Sequence, residues 1–157
     1  EHLVKLNSDP EVMKYVGIEN TSAEEIKIMV TQVMARDLSY QNRLGLFMAF
    51  EKSSGDFVGW FVLRPGYDSP KDFDNLEIGW RLLKMHWGRG LGTEGALVFK
   101  NRAVEMSVKS IFAVARTENH ASVNIMRKIG LKFEKQFVEN SQYWGRPTKL
   151  VKYAVNL

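Results

Sequence analysis

Three glycines, Gly88, Gly90 and Gly92, lie within five residues, in a segment that reads Trp-Gly-Arg-Gly-Leu-Gly-Thr-Glu over 87–94. The segment joins a predicted strand to a predicted helix. Glycines leave room for a ligand to approach the main chain, and the first N–H groups of a helix lack internal partners and carry partial positive charge. Arg89 adds a full positive charge. The turn therefore predicts a binding site for a phosphate or pyrophosphate. The alternative is a flexible turn that only caps the helix.

Two phosphate-binding patterns narrow the choice of ligand. The pattern G-x-x-x-x-G-K-[ST] is absent, whereas G-x-G-x-x-G is formally present at 90–95, and Glu118 lies at about the distance of a ribose-binding acid. A dinucleotide-binding fold, however, requires several successive strand–helix units. Only one complete strand–helix–strand crossover is evident here, so the match is weak support for a dinucleotide.

The composition excludes several kinds of site. The 157 residues include no cysteine, which excludes disulfides, thiolate zinc sites, iron–sulfur clusters and a cysteine nucleophile. The three histidines have no metal-ligand spacing, so we expect no metal. No apolar run approaches the ~18 residues that a membrane span needs. We expect a cytoplasmic protein with no membrane partner.

The charge is unevenly distributed along the chain. Residues 1–80 carry 8 basic and 13 acidic side chains, whereas residues 81–157 carry 14 basic and 5 acidic ones. This imbalance suggests that the second half meets an anion, although chance scatter of surface charge is the simpler explanation. No segment combines dense Lys and Arg with interleaved aromatic residues, so we do not expect a nucleic-acid partner.

Helices and strands alternate around the glycine turn. Asp9-Pro10-Glu11 predicts a helix start, and Ser22-x-x-Glu25 is a capping box that begins a second helix. Two further helices are predicted over 90–106 and 118–129. The predicted strands are Leu44–Glu51, Phe57–Leu63, Leu76–Leu83, Ile111–Ala115, Leu131–Val138 and Thr148–Val155. The apolar run at 111–115 predicts a strand buried on both faces, joined to the strand at 76–83 by a right-handed parallel crossover.

Four motifs occur in a fixed order along the chain. They read Glu-Ile-Gly-Trp-Arg-Leu at 77–82, the glycine turn at 87–95, Asn-His-Ala-Ser at 119–122 and Lys-Ile-Gly-Leu at 128–131. In this order and spacing they resemble the GNAT N-acetyltransferases, and most closely the branch named for ribosomal-protein alanine N-acetyltransferases. Ser-Asp-Pro-Glu-Val-Met at 8–13 also resembles this branch.

The resemblance implies an α+β fold with a mixed, mostly antiparallel central sheet flanked by helices. The first strand of the family has no counterpart in this chain, so we expect a single acetyltransferase domain over 1–157 that is incomplete at its N-terminus. The family also implies that the parallel strands 76–83 and 111–115 separate at the glycine turn, because the pantetheine arm of coenzyme A lies between them.

The resemblance further implies acetyl-CoA as the acetyl donor and an amine as the acceptor, which attacks the thioester directly. The branch includes enzymes that act on protein N-termini and others that act on small amines, and the sequence leaves both open. A homodimer is compatible with the sequence. Two other functions remain: a catalytically degenerate coenzyme A-binding module, and a basic nucleic-acid-binding domain supported only by the charge imbalance.

The resemblance assigns candidate catalytic residues. Glu77 is the candidate base, with a structural carboxylate as the alternative. The N–H groups of Leu82 and Leu83 are candidate donors to the thioester oxygen. Ser122 is the candidate proton source for the leaving thiolate, because Met126 occupies the position at which many GNAT proteins carry a tyrosine; its alternative role is helix capping.

The resemblance also assigns cofactor contacts. Asn119 and Ser122 are expected at the pantetheine arm and the thiol, together with the main chain of Leu82 and Leu83. The expected pyrophosphate-binding residues are Gly88, Arg89, Gly90, Leu91, Gly92 and Thr93.

Overall fold

The computed structural model describes residues 1–17, 22–38, 40, 43–141 and 144–157. The helices are α1 His2–Asn7, α2 Pro10–Met13, α3 Ala23–Leu38, α4 Leu91–Glu105 and α5 His120–Lys128, with a short 3₁₀ turn at Lys84–His86. The strands are β1 Gly45–Phe50, β2 Phe57–Pro65, β3 Asn75–Leu82, β4 Ser110–Arg116, β5 Lys132–Glu139 and β6 Thr148–Asn156.

The six strands form one sheet in the order β1-β2-β3-β4-β6-β5. Every neighbouring pair is antiparallel except β3 and β4, which are parallel. The predicted α+β architecture is therefore confirmed, and no strand bound differs from the expected one by more than two residues.

The parallel contact between β3 and β4 is short. It comprises only the pairs Asn75–Ser110, Leu76–Ile111 and Glu77–Phe112. By contrast, β3 continues to pair with β2 as far as Leu82. The two strands therefore separate beyond Glu77, which confirms the expected opening, and a gap leads from that last pair toward the glycine turn.

The main core lies between the sheet and the two later helices. Ile78 and Ile111 pack there with Ala96 of α4 and Met126 of α5. The expectation that β4 is buried on both faces is wrong. Its residues alternate, because Ile111, Ala113 and Ala115 are buried toward the helices while Phe112 and Val114, on the other face, are only half-buried.

Helices α1 and α2 pack against a separate part of the sheet, at the start of β2 and just after β3. Leu6 of α1 and Val12 of α2 form a smaller cluster with Phe57 and Leu83. The Asp9 carboxylate caps α2 by accepting a hydrogen bond from the Glu11 N–H at 2.9 Å. In the described residues no strand precedes β1, and residues 2–7 are helical.

The capping box at the start of α3 forms as predicted. The Ser22 N–H donates to Glu25 Oε2 at 2.7 Å, and the Glu25 N–H donates to Ser22 Oγ at 3.2 Å. Hydrogen bonds to the Glu25 carboxylate, first from the Ser22 main-chain N–H and then from the Ser22 side chain, lower the pKa of Glu25. Thr21, the residue before this cap, lies outside the described residues. None of the helices in the described part of the chain is long and apolar enough to cross a membrane.

Candidate active site

The edge of β3 that faces the gap presents main-chain polar groups. Leu83 N–H donates to the Val58 carbonyl oxygen at 2.9 Å, so it is engaged with β2. Because hydrogen-bonded and non-bonded pairs alternate along antiparallel strands, the preceding Leu82 turns its N–H and carbonyl away from β2 and toward β4. This geometry revises the predicted donor pair: Leu82 faces the gap and Leu83 does not. The Leu82 carbonyl accepts a hydrogen bond from Trp87 Nε1 at 2.9 Å.

The edge of β4 mirrors this arrangement. Thr117 N–H donates to the Lys149 carbonyl at 3.1 Å, and Leu157 N–H donates to the Lys109 carbonyl at 2.9 Å. These bonds show that the odd-numbered residues of β4 direct their N–H and carbonyl groups toward β6. Val114 therefore turns its N–H and carbonyl toward β3. Two strand edges with peptide donors and acceptors face each other across the gap, which suits an extended ligand that carries amide groups of its own.

The glycine turn leaves open space at two of its three glycines. Gly88 and Gly90 have φ of +73° and +84°, and a Cβ at either would meet no atom within 4 Å. Gly92 has a different role, because its Cβ would lie 2.8 Å from Ile125 Cδ1 of α5. The first two glycines therefore fit the predicted approach of a ligand, whereas the third lets α4 and α5 pack closely.

The first turn of α4 begins directly after Gly90, which has no side chain to cap it. The N–H groups of Thr93 and Glu94 both donate to the Gly90 carbonyl at 3.0 Å. The earlier N–H groups, of Leu91 and Gly92, precede the first repeating hydrogen bonds of the helix and point out of its end. The end of the helix thus presents N–H donors and partial positive charge beside the gap.

The side chain of Arg89 is already engaged within the protein. Its Nη2 lies 2.7 Å from Glu51 Oε1, and its Nη1 lies 3.0 Å from His86 Nδ1. Since a guanidinium only donates, Nδ1 accepts this bond. His86 is a buried residue, 2% exposed. Arg89 therefore ties the turn to the end of β1, and phosphate binding by this side chain stays a prediction.

Glu77 lies on the last pair of the β3–β4 contact, where the strands begin to separate. Arg64 of β2 donates to Glu77 Oε2 from Nε at 3.1 Å and from Nη2 at 2.9 Å, and it stacks on Tyr67 at 3.8 Å. Burial opposes the charge of Arg64, but attraction to Glu77 and Tyr67 outweighs it and raises the pKa of Arg64. In the described structure Glu77 Oε1 makes no hydrogen bond. Glu77 therefore has a structural role, because its Oε2 binds Arg64. Its Oε1 stays available to accept a proton.

The start of α5 lies on the other side of the glycine turn. Asn119 caps this helix, because its Oδ1 accepts a hydrogen bond from the Ser122 N–H at 3.1 Å. Ser122 lies one turn before Ile125, which contacts α4 at Gly92, and residues three apart share a helix face. Ser122 therefore faces the start of α4. Its hydroxyl makes no hydrogen bond to any described residue.

The structure thus places Glu77, Leu82 and the glycine turn along one side of the gap, and it places Ser122 on the helix that packs against the start of α4. A family model for the acetyltransferase (GNAT) domain matches residues 1–132. The chain belongs to the GNAT acetyltransferase family. A curated relative, FsC-acetyl coenzyme A-N(2)-transacetylase of Aspergillus fumigatus, is 32% identical over 142 residues. The alignment covers 87% of this chain and 60% of that protein, so the chain spans less than two thirds of its relative's length.

Two solved structures share the GNAT fold of this chain. Ribosomal-protein-alanine N-acetyltransferase from Brucella melitensis has a TM-score of 0.76 and 18% identity, over 99% of this chain and 94% of that one. Spermidine N-acetyltransferase from Vibrio cholerae, solved with CoA and spermine, has a TM-score of 0.74 and 16% identity, over 98% of this chain and 87% of that one. At these identities the likeness shows the fold alone.

Met126 is the residue that the resemblance places at the tyrosine position of GNAT proteins. It is 1% exposed and lies within the core between α5 and the sheet. A thioether there has no acidic proton, so it cannot protonate a thiolate. The described residues also contain no cluster of three or more His, Asp or Glu that could hold a metal ion.

Two arginines near the gap were not predicted from the sequence. Arg64 holds Glu77, and its cross-strand position follows from the register between β2 and β3. Arg116 ends β4 and is buried at 8% exposure. The only sequence signal for it was a charged residue directly after the apolar run at 111–115, a position that reads equally well as the start of a loop.

Proposed function

We propose that this GNAT protein is an acetyl-CoA-dependent N-acetyltransferase that transfers an acetyl group to a primary amine, on a small molecule or at a protein N-terminus. The observation that carries the proposal is the gap between β3 and β4. It opens beyond Glu77 and is bordered by peptide groups of both strands. It ends at a glycine turn whose helix presents N–H donors.

The cofactor contacts follow from that arrangement. Acetyl-CoA supplies the acetyl group as a thioester. The main chain of 88–93 offers N–H donors to its pyrophosphate, and the edges of β3 and β4 offer donors and acceptors to the amides of its pantetheine arm. Asn119 uses its side-chain oxygen to cap α5, which leaves its amide N–H groups for a ligand.

The chemistry uses three residues at the gap. A primary amine is mostly protonated near pH 7, and Glu77 accepts its proton directly or through a water. The amine nitrogen then bonds to the acetyl carbon, and Leu82 N–H donates to the thioester oxygen as negative charge builds on it. The carbon–sulfur bond breaks, the Ser122 hydroxyl donates a hydrogen bond to the leaving thiolate, and the thiolate takes up the proton that the attacking nitrogen loses as the amide forms.

Coenzyme A binding is tested by thermal unfolding. A ligand present at 100 times its Kd stabilises the folded state by about 2.7 kcal/mol, so coenzyme A should raise the Tm of the wild-type protein. Gly90→Glu should abolish this rise, because it adds bulk and negative charge where a Cβ would enter open space. Gly90→Ala has the same strained φ without the charge and should retain part of the binding.

The matched control for this test is Gly145→Glu. Gly145 also has a positive φ, +64°, and also faces open space, but it lies on the loop before β6 rather than at the turn. This variant should bind coenzyme A normally. Unchanged coenzyme A affinity in a folded Gly90→Glu variant would contradict a phosphate seat at the turn.

Acetyl transfer is tested by thiol release from acetyl-CoA across a panel of small amines and peptide N-termini. Coenzyme A binding without thiol release from any amine would favour the second candidate, a degenerate coenzyme A-binding module, which Met126 at the tyrosine position supports. A salt-dependent shift with an oligonucleotide, with no response to coenzyme A, would contradict both in favour of a nucleic-acid-binding domain.

A further inference from the structure

Arg116 is a buried cation that the proposed mechanism does not use. It is 8% exposed, and its Nε is fully shielded and has no hydrogen-bond partner among the described residues. Its Nη1 donates to the Lys14 carbonyl oxygen at 3.3 Å. Among the described residues no carboxylate pairs with it. A buried charge without a counter-charge is costly, so a stable fold that keeps one at the gap points to an anion that arrives with a ligand.

Arg116 lies on the face of the sheet that carries Glu77, the proposed base. Glu77 and Phe112 form the last pair between β3 and β4, and Arg116 lies four residues beyond Phe112 on the same strand. Since side chains alternate along a strand, Phe112 and Arg116 share one face, and in paired strands Glu77 lies on it too. The run between Phe112 and Arg116 spans about 13 Å of strand. Glu77, the proposed base, and Arg116 therefore lie on the same face of the sheet.

In the described part of the chain, two contacts hold the Arg116 guanidinium. The Lys14 carbonyl comes from the end of α2, and the Trp144 ring, on the loop before β6, stacks at 5.2 Å from the guanidinium carbon. Neither contact neutralises the charge. The Nε edge of a guanidinium is one that carboxylates use, and Arg64 binds Glu77 within this chain through Nε and Nη2. None of the residues that the structure describes pairs with the Nε edge of Arg116 in this way.

We propose that the acceptor is an amine that also carries a carboxylate, and that Arg116 binds this carboxylate while the amine is presented to Glu77. The inference rests on the proposed function. Because Nε is shielded, binding requires a side-chain movement of Arg116 or Trp144. Acceptors that carry only positive charges are disfavoured, since they would leave Arg116 unpaired and add repulsion.

The test compares amino acids with their own carboxamides. α-, β- and γ-amino acids, each paired with its amide, and spermidine as a purely cationic amine are measured with coenzyme A-saturated protein by calorimetry and by thiol release from acetyl-CoA. A hydrogen-bonded ion pair contributes about 1.5–3 kcal/mol, and each 1.4 kcal/mol is a factor of ten. At least one acid should therefore bind roughly 10 to 100 times more tightly than its amide.

Variants assign that preference to Arg116. Arg116→Gln should weaken binding of the acid by the same factor and leave binding of the amide and of coenzyme A unchanged. Arg116→Lys should recover part of the lost acid binding. Arg102→Gln is the matched control, because Arg102 also donates to a main-chain carbonyl, at 3.0 Å, and stacks on an aromatic ring, Phe47 at 5.0 Å, but lies near the far end of α4. It should leave the preference unchanged.

The outcomes separate the two proposals. Acid binding that depends on Arg116 without thiol release would uphold the carboxylate site and contradict acetyl transfer. Acetylation with equal preference for acids and amides, or faster acetylation of spermidine, would overturn the carboxylate site while acetyl transfer stands. An Arg116→Gln variant that weakens acid and amide equally would also overturn it, and if that variant does not fold, the wild-type comparison decides.

Discussion

Substituting Gly95 by alanine should disturb the packing that fixes α4 over the sheet. A Cβ at this position would lie 2.1 Å from Phe61 Cζ and 2.5 Å from both Cε atoms of the same ring. Ordinary contact begins at 3.4 Å, so the helix and the ring must separate by 1.3 Å. Phe61 has little room to retreat, because it is 4% exposed and stacks on Phe99 with ring centroids 5.6 Å apart.

Two opposing effects set the magnitude. Overpacking a core typically costs about 1–3 kcal/mol, and a rigid ring between two elements favours the upper end of that range. Alanine in place of glycine inside a helix returns up to about 1 kcal/mol. We expect Gly95→Ala to lower the free energy of unfolding by about 2 kcal/mol, which for a domain of this size lowers the Tm by roughly 4–8 °C.

The site should respond as well, because α4 carries the glycine turn at its start. A displacement of about 1 Å in positioning groups can reduce the rate 100-fold, so kcat should fall more than stability alone explains. Urea unfolding, coenzyme A titration and thiol release measure the three effects. In a Phe61→Leu background, which removes the ring, Gly95→Ala should become nearly neutral. A neutral or stabilising Gly95→Ala in the wild-type background would refute the close contact and the role assigned to it.

Three further substitutions test the candidate site. Glu77→Gln should lower kcat roughly 100-fold as a lost general base, most strongly at pH values where the acceptor amine is still protonated; a pH–rate profile parallel to that of wild type would contradict the role. Ser122→Ala should lower kcat and leave coenzyme A affinity unchanged. Full activity of this variant would show that the leaving thiolate does not need the Ser122 hydroxyl. Arg89→Gln should weaken coenzyme A about tenfold in calorimetry if its charge meets a phosphate, with less than about 1 kcal/mol lost from stability because its ion pair is partly exposed. An equal loss of affinity in Glu51→Gln would show that Arg89 only positions the turn.

The strands and the turn were predictable because their signals are local. Apolar runs, turn residues and the glycine segment each occupy a few consecutive positions, and the parallel crossover follows from chain handedness. The N-terminal segment was harder to predict from the sequence. Residues 2–7 contain three apolar residues in a mixed pattern, and their helical form depends on Leu6 reaching the cluster with Phe57 and Leu83.

The parts that sequence reasoning missed depend on register or on distant partners. Leu82 and Leu83 are adjacent and of the same type, and only the register with β2 decides which N–H faces the gap. Arg89 pairs with Glu51, which is 38 residues away. Arg116 owes its burial to Lys14 and Trp144, which come from opposite ends of the chain.

The short contact between β3 and β4 divides the sheet into two three-stranded halves. One half, β1-β2-β3, comes from residues 45–82, and the other, β4-β6-β5, comes from residues 110–156. Each half is continuous in sequence, so each can form from local contacts before the two meet. Three residue pairs join the two halves within the sheet, and the segment that contains α4 connects them along the chain. A coenzyme A molecule lying in the gap would then join two mechanically separable units, and amide exchange along Trp80–Leu82 and Val114–Arg116 should slow on binding, because the cofactor would supply the strand that the junction lacks.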